Sequence, residues 1–191
     1  MPKPIPATYH SMIVATTSRL FIRSFKEQDA LPLLEYLSSP RVPCFEDEKL
    51  DSLAQAREEV MKRASDASQF AVCLKETDQL IGHLFADNRA EPDHNTWSVG
   101  WHFNQRYEGQ GFATEAVSAL FHYLFTTREA RRLYAYVEDC NQASQRLCER
   151  LHMRREGCFK EFVSFVTASG EEQYDDTYIY ALLKKEWLLA I

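Results

Sequence analysis

Between Trp101 and Ala116 the chain places Arg106, Gly109 and Gly111 after an aromatic run that ends at Phe103 and before an amphipathic pattern that begins at Ala113. Apolar residues then recur at Val117, Leu120, Phe121 and Leu124, so the order is strand, tight turn, helix. Glycine permits backbone conformations in which neighbouring N–H groups converge on one point. A helix starting there adds its unpaired first-turn N–H groups and the positive end of its dipole. A phosphate or diphosphate suits such a cradle. Two common phosphate loops fail on spacing: a dinucleotide fold needs a third glycine where Thr114 stands, and a nucleoside-triphosphate loop needs a closing Gly-Lys-Ser/Thr, yet no lysine is near. Taken alone, the stretch is also consistent with a turn whose glycines serve geometry only.

The elements that must hold this turn follow from hydrophobic period. Residues 1–17 carry early prolines and no firm period, and read as an N-terminal arm ahead of one domain over 18–191. Residues 18–23 form a strand, and 27–37 and about 50–63 form helices. The period then changes to two, giving an antiparallel meander of 69–74, 79–86 and 96–103. After the helix that ends near Thr126, residues 132–137 form a strand whose helical crossover implies parallel pairing with the strand before it. A helix over 141–151 opens on capping residues, and segments of about 158–167 and 174–183 close the chain as a hairpin. The expected fold is α/β (α+β), one domain with a mixed, mostly antiparallel sheet and helices on both faces.

Composition narrows the partners. A chain of 191 residues with 45% hydrophobic and 13% aromatic residues can bury a sizeable core. A net charge of -6 argues against a nucleic-acid surface and favours a cationic substrate such as an amine. Five cysteines, at 44, 73, 140, 148 and 158, form no CxxC pair and no ligand spacing, so buried reduced thiols and no metal site are expected. The start lacks an apolar signal core and no run is long enough to span a bilayer, so a cytoplasmic protein without membrane contact is expected.

Arg106-x-x-Gly109-x-Gly111 resembles the acyl-coenzyme-A loop of the GNAT (Gcn5-related N-acetyltransferase) family, written Q/R-x-x-G-x-G/A. Other segments agree in order with its RimJ/RimL-like branch, which modifies ribosomal-protein amino termini. They are Arg19-Leu20-x-Ile22-Arg23 with Asp29-Ala30, Gly100-Trp101, Ala113-Thr114-Glu115-Ala116, Asn141-x-Ala143-Ser144, Glu149-Arg150-Leu151, Arg155-Glu156-Gly157 and Asp176-x-x-x-Tyr180 with Glu186-Trp187. The chain departs from that branch at three points. His152-Met153 replaces a Gly-Phe pair, so the turn there must be built without glycine. Ser98 stands where many members carry glutamate, and Cys148 stands where many carry a tyrosine able to protonate the leaving thiolate.

Acyl transfer from a thioester to an amine needs a held thioester, an unprotonated amine and help for the thiolate. An α-ammonium, with a pKa of about 8, needs less help than an alkylammonium at about 10. The resemblance implies acetyl-CoA (coenzyme A) as cofactor and direct attack in a ternary complex. It places pantetheine along Trp101, His102 and Phe103, and the diphosphate on the amides of Gly109, Gln110, Gly111, Phe112 and Ala113. Arg106 either contacts the phosphates or is a solvated turn residue. Asn141 either bonds the pantetheine arm or is an ordinary helix cap. Ser144, on the same face, is the candidate donor to the thiolate, with a surface serine as the alternative. Cys148 reads as a small buried hydrophobe. Glu108, His102, His83 and His94 are all conceivable bases, and the catalytic set adopted is Ser144, Glu108 and His102. Glu115 reads as a helix-stabilising residue, and the acidic loop over 87–93 as a hydrated run or a recogniser of a cation. The acceptor is a small-molecule amine or a protein N-terminus. A catalytically weak coenzyme-A-binding regulatory module is the alternative from another class. Phe159, Phe162 and Phe165 in the closing hairpin serve either as core or as a homodimer surface.

Overall fold

Residues 69–74 divide the core in two. Phe70 and Val72 turn to one side of their strand and Ala71 and Cys73 to the other, and all four are buried, so each face of the sheet needs a helical cover. The computed structural model, which describes residues 13–40, 48–89, 93–166 and 170–190, supplies both covers. Its strands are β1 (Ile13–Thr16), β2 (Leu20–Arg23), β3 (Gln69–Leu74), β4 (Leu80–Asp87), β5 (Thr96–Phe103), β6 (Arg132–Glu138), β7 (Arg154–Val166) and β8 (Glu172–Leu183). They form one sheet in the order β1-β2-β3-β4-β5-β6-β8-β7, and only β5 and β6 pair in parallel. Helices α1 (Ala30–Leu37) and α2 (Leu53–Ser65) bury Leu33, Leu37, Ala56 and Val60 against one face. Helices α3 (Phe112–Thr126) and α4 (Gln142–Arg150) bury Val117, Leu120, Phe121, Leu124 and Leu147 against the other. This is the mixed sheet, covered on both faces, that the periodicity predicts.

Three local features depart from the sequence reading or refine it. Residues 13–16, read as part of the arm, pair with β2 as an edge strand too short to show a period; residues 1–12 lie outside the described residues. A terminal helix, α5 (Lys184–Ala190), follows β8 and stacks Trp187 on Phe125 with ring centroids 5.2 Å apart; its seven residues hold too few turns to register as a period. At the end of α4, His152 takes φ 59 in the position glycine usually fills, while Met153 N–H donates to Cys148 O at 2.9 Å and His152 N–H to Glu149 O at 3.0 Å. That is a Schellman cap built on a histidine.

The Arg23 and Asp29 of the opening motif are structural. Both side chains are 1% exposed and pair in two parallel bonds of 2.8 and 2.9 Å, while Arg23 Nε reaches Asp78 at 2.8 Å. The pair ties β2 to the start of α1 and to the β3–β4 turn, and removing one partner strands a buried charge at a cost of about 3–5 kcal/mol. Four cysteines are described as free thiols. Cys73 and Cys148 are buried as expected, but Cys140 and Cys158 are exposed, the latter on the outermost strand β7. Phe159 and Phe162 are also exposed, in an aromatic group with Tyr136, rather than in the core. Among the described residues no helix is long and apolar enough to cross a membrane.

Candidate active site

The parallel ladder joins Thr96 to Arg132, Trp97 to Leu133 and Ser98 to Tyr134, and ends there. Beyond it β5 runs on beside β4 to Phe103, and β6 runs on beside β8 to Glu138. Where the strands part, a cavity of about 660 Å³ opens, lined by β5, the glycine loop, the start of α3, one face of α4 and the end of α1.

The loop is rigid at its root. Asn104 is buried, its N–H donates to Ile81 O at 2.9 Å, and its Oδ1 accepts from the Arg106 N–H at 3.0 Å. After a short 3-10 turn over Gln105–Tyr107, Gly109 and Gly111 take φ 75 and 80, the left-handed region in which a Cβ would be strained. An added Cβ at Gly109 would meet nothing within 4 Å, so the space above it is open. Gly111 caps α3 without a side chain, and the residues of the first turn, Phe112, Ala113 and Thr114, line the cavity. Behind the loop, Arg19 donates from Nε to Glu115 at 2.7 Å and from Nη1 to Gln110 O at 3.0 Å, with its guanidinium 4.4 Å from the Phe112 ring centroid. Burial pushes the Glu115 carboxyl up, but hydrogen bonds from Thr17 and Arg19 hold it below the usual range. Glu115 therefore clamps β2 to the loop, which is more than the helix stabilisation expected of it.

Asn141 caps α4 by accepting the Ser144 N–H at 3.1 Å, and Trp101 Nε1 donates to Ser144 Oγ at 3.1 Å. Asn141, Ser144, Leu147 and Arg150 follow one another at three-residue intervals along the cavity wall. Cys148 lies on the core side, fully buried, and burial pushes its thiol up to about 12. It keeps its proton, as a packed hydrophobe would.

Of the residues assigned from sequence, Trp101, His102, Phe103, Arg106, Glu108, Gly109, Gly111, Phe112, Ala113, Asn141 and Ser144 all line this cavity. Gln110, whose amide belongs to the same turn, is not among the lining residues. It lines a recess of about 210 Å³ with Leu74, Arg106, Tyr107 and Phe112, and its carbonyl accepts from Arg19. Arg106 is exposed and its guanidinium contacts the Glu35 carboxylate of α1 across the cavity. Glu35, Tyr36 and Asn104 were missed, as was Arg150, although the three-residue interval on α4 carried a signal for it.

The histidines differ sharply. His83 and His102 face one another on β4 and β5 with ring centroids 5.5 Å apart, and Tyr36 Oη lies 2.8 Å from His83 Nδ1. Burial first, then the Arg63 guanidinium, pulls His102 down to about 4, and the same two influences hold His83 well below its usual range. Both rings are neutral near pH 7, and only His102 lines the cavity. Ligand atoms of Glu48, His83 and His102 lie within 4.8 Å of one another, a spacing a metal could use. Arg63 Nη2, 2.8 Å from Glu48, already supplies the positive charge there. His94 sits exposed on the β4–β5 loop, away from the cavity, and the part of that acidic loop over 90–92 lies outside the described residues.

The sheet is parted at one strand pair beside a helix capped by Gly111, and similarity to known proteins identifies the class with this architecture as acetyltransferases. The chain belongs to the GNAT family: residues 19–154 match the family described as an acetyltransferase (GNAT) domain. It is 36% identical over 174 residues to YnaD of Bacillus subtilis (strain 168), named an uncharacterized N-acetyltransferase, covering 90% of this chain and 98% of that one. A crystal structure of a GNAT-family acetyltransferase from Bacillus anthracis superposes with TM-score 0.78 at 31% identity, over 92% of this chain and 100% of that one. Ribosomal-protein acetyltransferases are among the relatives. The ribosomal-protein-serine acetyltransferase of Escherichia coli (strain K12) is 29% identical over 139 residues, 73% of this chain and 74% of that one.

Proposed function

We propose that the protein transfers an acetyl group from acetyl-coenzyme A to a primary amine, a protein amino terminus or a small amine, within a ternary complex. The observation that carries this reading is the opening between β5 and β6, which has the glycine cradle at one end and Ser144 on its wall. The residues present fit the cofactor: the space over Gly109 is open, the first turn of α3 has no side-chain cap, and the buried Asn104 Nδ2 on the cavity wall has no hydrogen-bond partner among the described residues.

When bound, acetyl-coenzyme A supplies an activated thioester. The amides of Gly109, Gln110, Gly111, Phe112 and Ala113 would hold the diphosphate, and Arg106 and Arg150 would add positive charge. Backbone N–H groups on the unpaired edge of β5 polarise the acyl carbonyl. Ser144 Oγ accepts from Trp101 and would be the hydroxyl able to donate its proton to the cofactor's sulfur. His102, held neutral near pH 7 by burial and then by the Arg63 guanidinium, and Glu108 both line the cavity as acceptors for the amine's proton, and an α-amine needs less such help than an alkylamine.

Thiol release from acetyl-coenzyme A with a panel of amino-terminal peptides and polyamines tests the proposal. Release that depends on an amine is expected. Tight cofactor binding without release on any acceptor would mark a coenzyme-A-binding module instead.

A further inference from the structure

Glu35 and Arg106 approach from different elements, α1 and the glycine loop, and both line the cavity. Their carboxylate and guanidinium touch, with the arginine side chain 71% exposed and the glutamate 33% exposed. The Arg106 backbone is fixed by Asn104, so only its side chain is free to move. We propose that Glu35 is a shared carboxylate: it holds Arg106 while the cavity is empty and receives the acceptor's ammonium once the cofactor's diphosphate has drawn Arg106 away. The inference rests on the reading of this cavity as the coenzyme-A site and deepens it, by naming an acceptor-side residue and an order of binding.

The physical argument is a competition. A diphosphate carries more charge than one carboxylate and offers the guanidinium paired oxygens, so it outcompetes Glu35 for Arg106. The glutamate is then left partly buried, near added negative charge, with its cation gone. An amine arrives protonated at neutral pH, because its pKa is about 8 to 10, and replaces the missing cation. The exchange makes the two ligands cooperative, and cooperativity between binding sites is reciprocal. The cavity's other charged wall residues are Glu108 on the exposed loop and Arg150 on α4.

Calorimetric titration with coenzyme A, of the wild type, Glu35→Gln, Arg106→Gln and the double variant, tests the exchange. Glu35→Gln should bind coenzyme A about two- to fivefold more tightly, the range over which exposed ion pairs couple. Arg106→Gln should bind more weakly, and in its background Glu35→Gln should add no tightening. Butylammonium chloride should tighten wild-type binding relative to potassium chloride at equal ionic strength and should have no such effect on Glu35→Gln. Weaker or unchanged binding by Glu35→Gln would overturn the proposal and leave Glu35 as a fixed support for Arg106. Equal tightening in both backgrounds, or butylammonium acting like potassium, would overturn it as well. Absence of coenzyme A binding by the wild type would instead remove the cofactor reading on which the proposal stands.

Discussion

The indole N–H of Trp101 donates to Ser144 Oγ across 3.1 Å, joining β5 to α4 beyond the point where β5 has parted from β6. Tryptophan nitrogen can only donate, so the serine oxygen is the acceptor and its own proton stays available to a second acceptor. Ser144→Ala should therefore lower kcat about a hundredfold, with little change in KM for acetyl-coenzyme A. Trp101→Phe keeps the hydroxyl but releases its orientation, and should produce a smaller drop. Steady-state thiol release measures both, and an unchanged kcat in Ser144→Ala would remove the serine from the reaction.

Gly109 separates folding from binding. An added methyl group meets nothing within 4 Å, so Gly109→Ala should cost only the strain of its left-handed backbone, about 1–2 kcal/mol. If the diphosphate sits on this turn, the same methyl group adds bulk at its binding amides, and coenzyme A affinity should fall at least about tenfold. Thermal melts and calorimetry on one sample distinguish the two effects. Unchanged affinity would place the phosphates elsewhere.

His152 offers the opposite test, a gain without functional change. Its φ of 59 is a conformation glycine adopts freely, and its side chain is exposed. His152→Gly should stabilise the protein by about 0.5–1 kcal/mol, raising Tm by roughly 2 °C. A lower Tm would mean that the imidazole makes a stabilising contact outweighing the strain of its backbone.

His102 sets an acid limb on stability. Its folded pKa of about 4 lies below the unfolded value of 6.5, so above pH 6.5 neither state holds the proton and nothing is lost. Between pH 6.5 and 4 the unfolded state takes up a proton that the folded state refuses, and stability falls by up to about 3 kcal/mol. His83, buried beside it, acts in the same direction. Carboxyls held low by their partners, such as Glu115, act only below their own unfolded value of 4.5, so the upper part of the window belongs to the histidines. Melts of the wild type and His102→Gln from pH 7 to 5 check this. A wild-type Tm that stays flat across that range would contradict it.

The meander was legible because short apolar, β-rich runs bounded by turn residues mark strands: 69–74 and 96–103 coincide with β3 and β5 residue for residue. The glycine turn was legible because positive φ at two nearby positions leaves few substitutes for glycine. The far wall of the cavity was not. Glu35 and Tyr36 reach it only because α1 packs across the sheet onto β4, and no local spacing in α1 records that contact. The neutrality of His102 was equally hidden, since it depends first on burial and then on Arg63 of α2, which nothing in the sequence near β5 announces. The Arg19–Gln110 contact was hidden as well, since it joins residues 91 apart in the chain.

A crystal structure of the protein soaked with coenzyme A tests the central claim most directly. The account predicts the diphosphate within hydrogen-bond distance of the amides of Gly109, Gln110, Gly111, Phe112 and Ala113, with pantetheine between β5 and β6 and its sulfur near Ser144 Oγ. An empty cradle, or a cofactor bound anywhere else on the molecule, would contradict it.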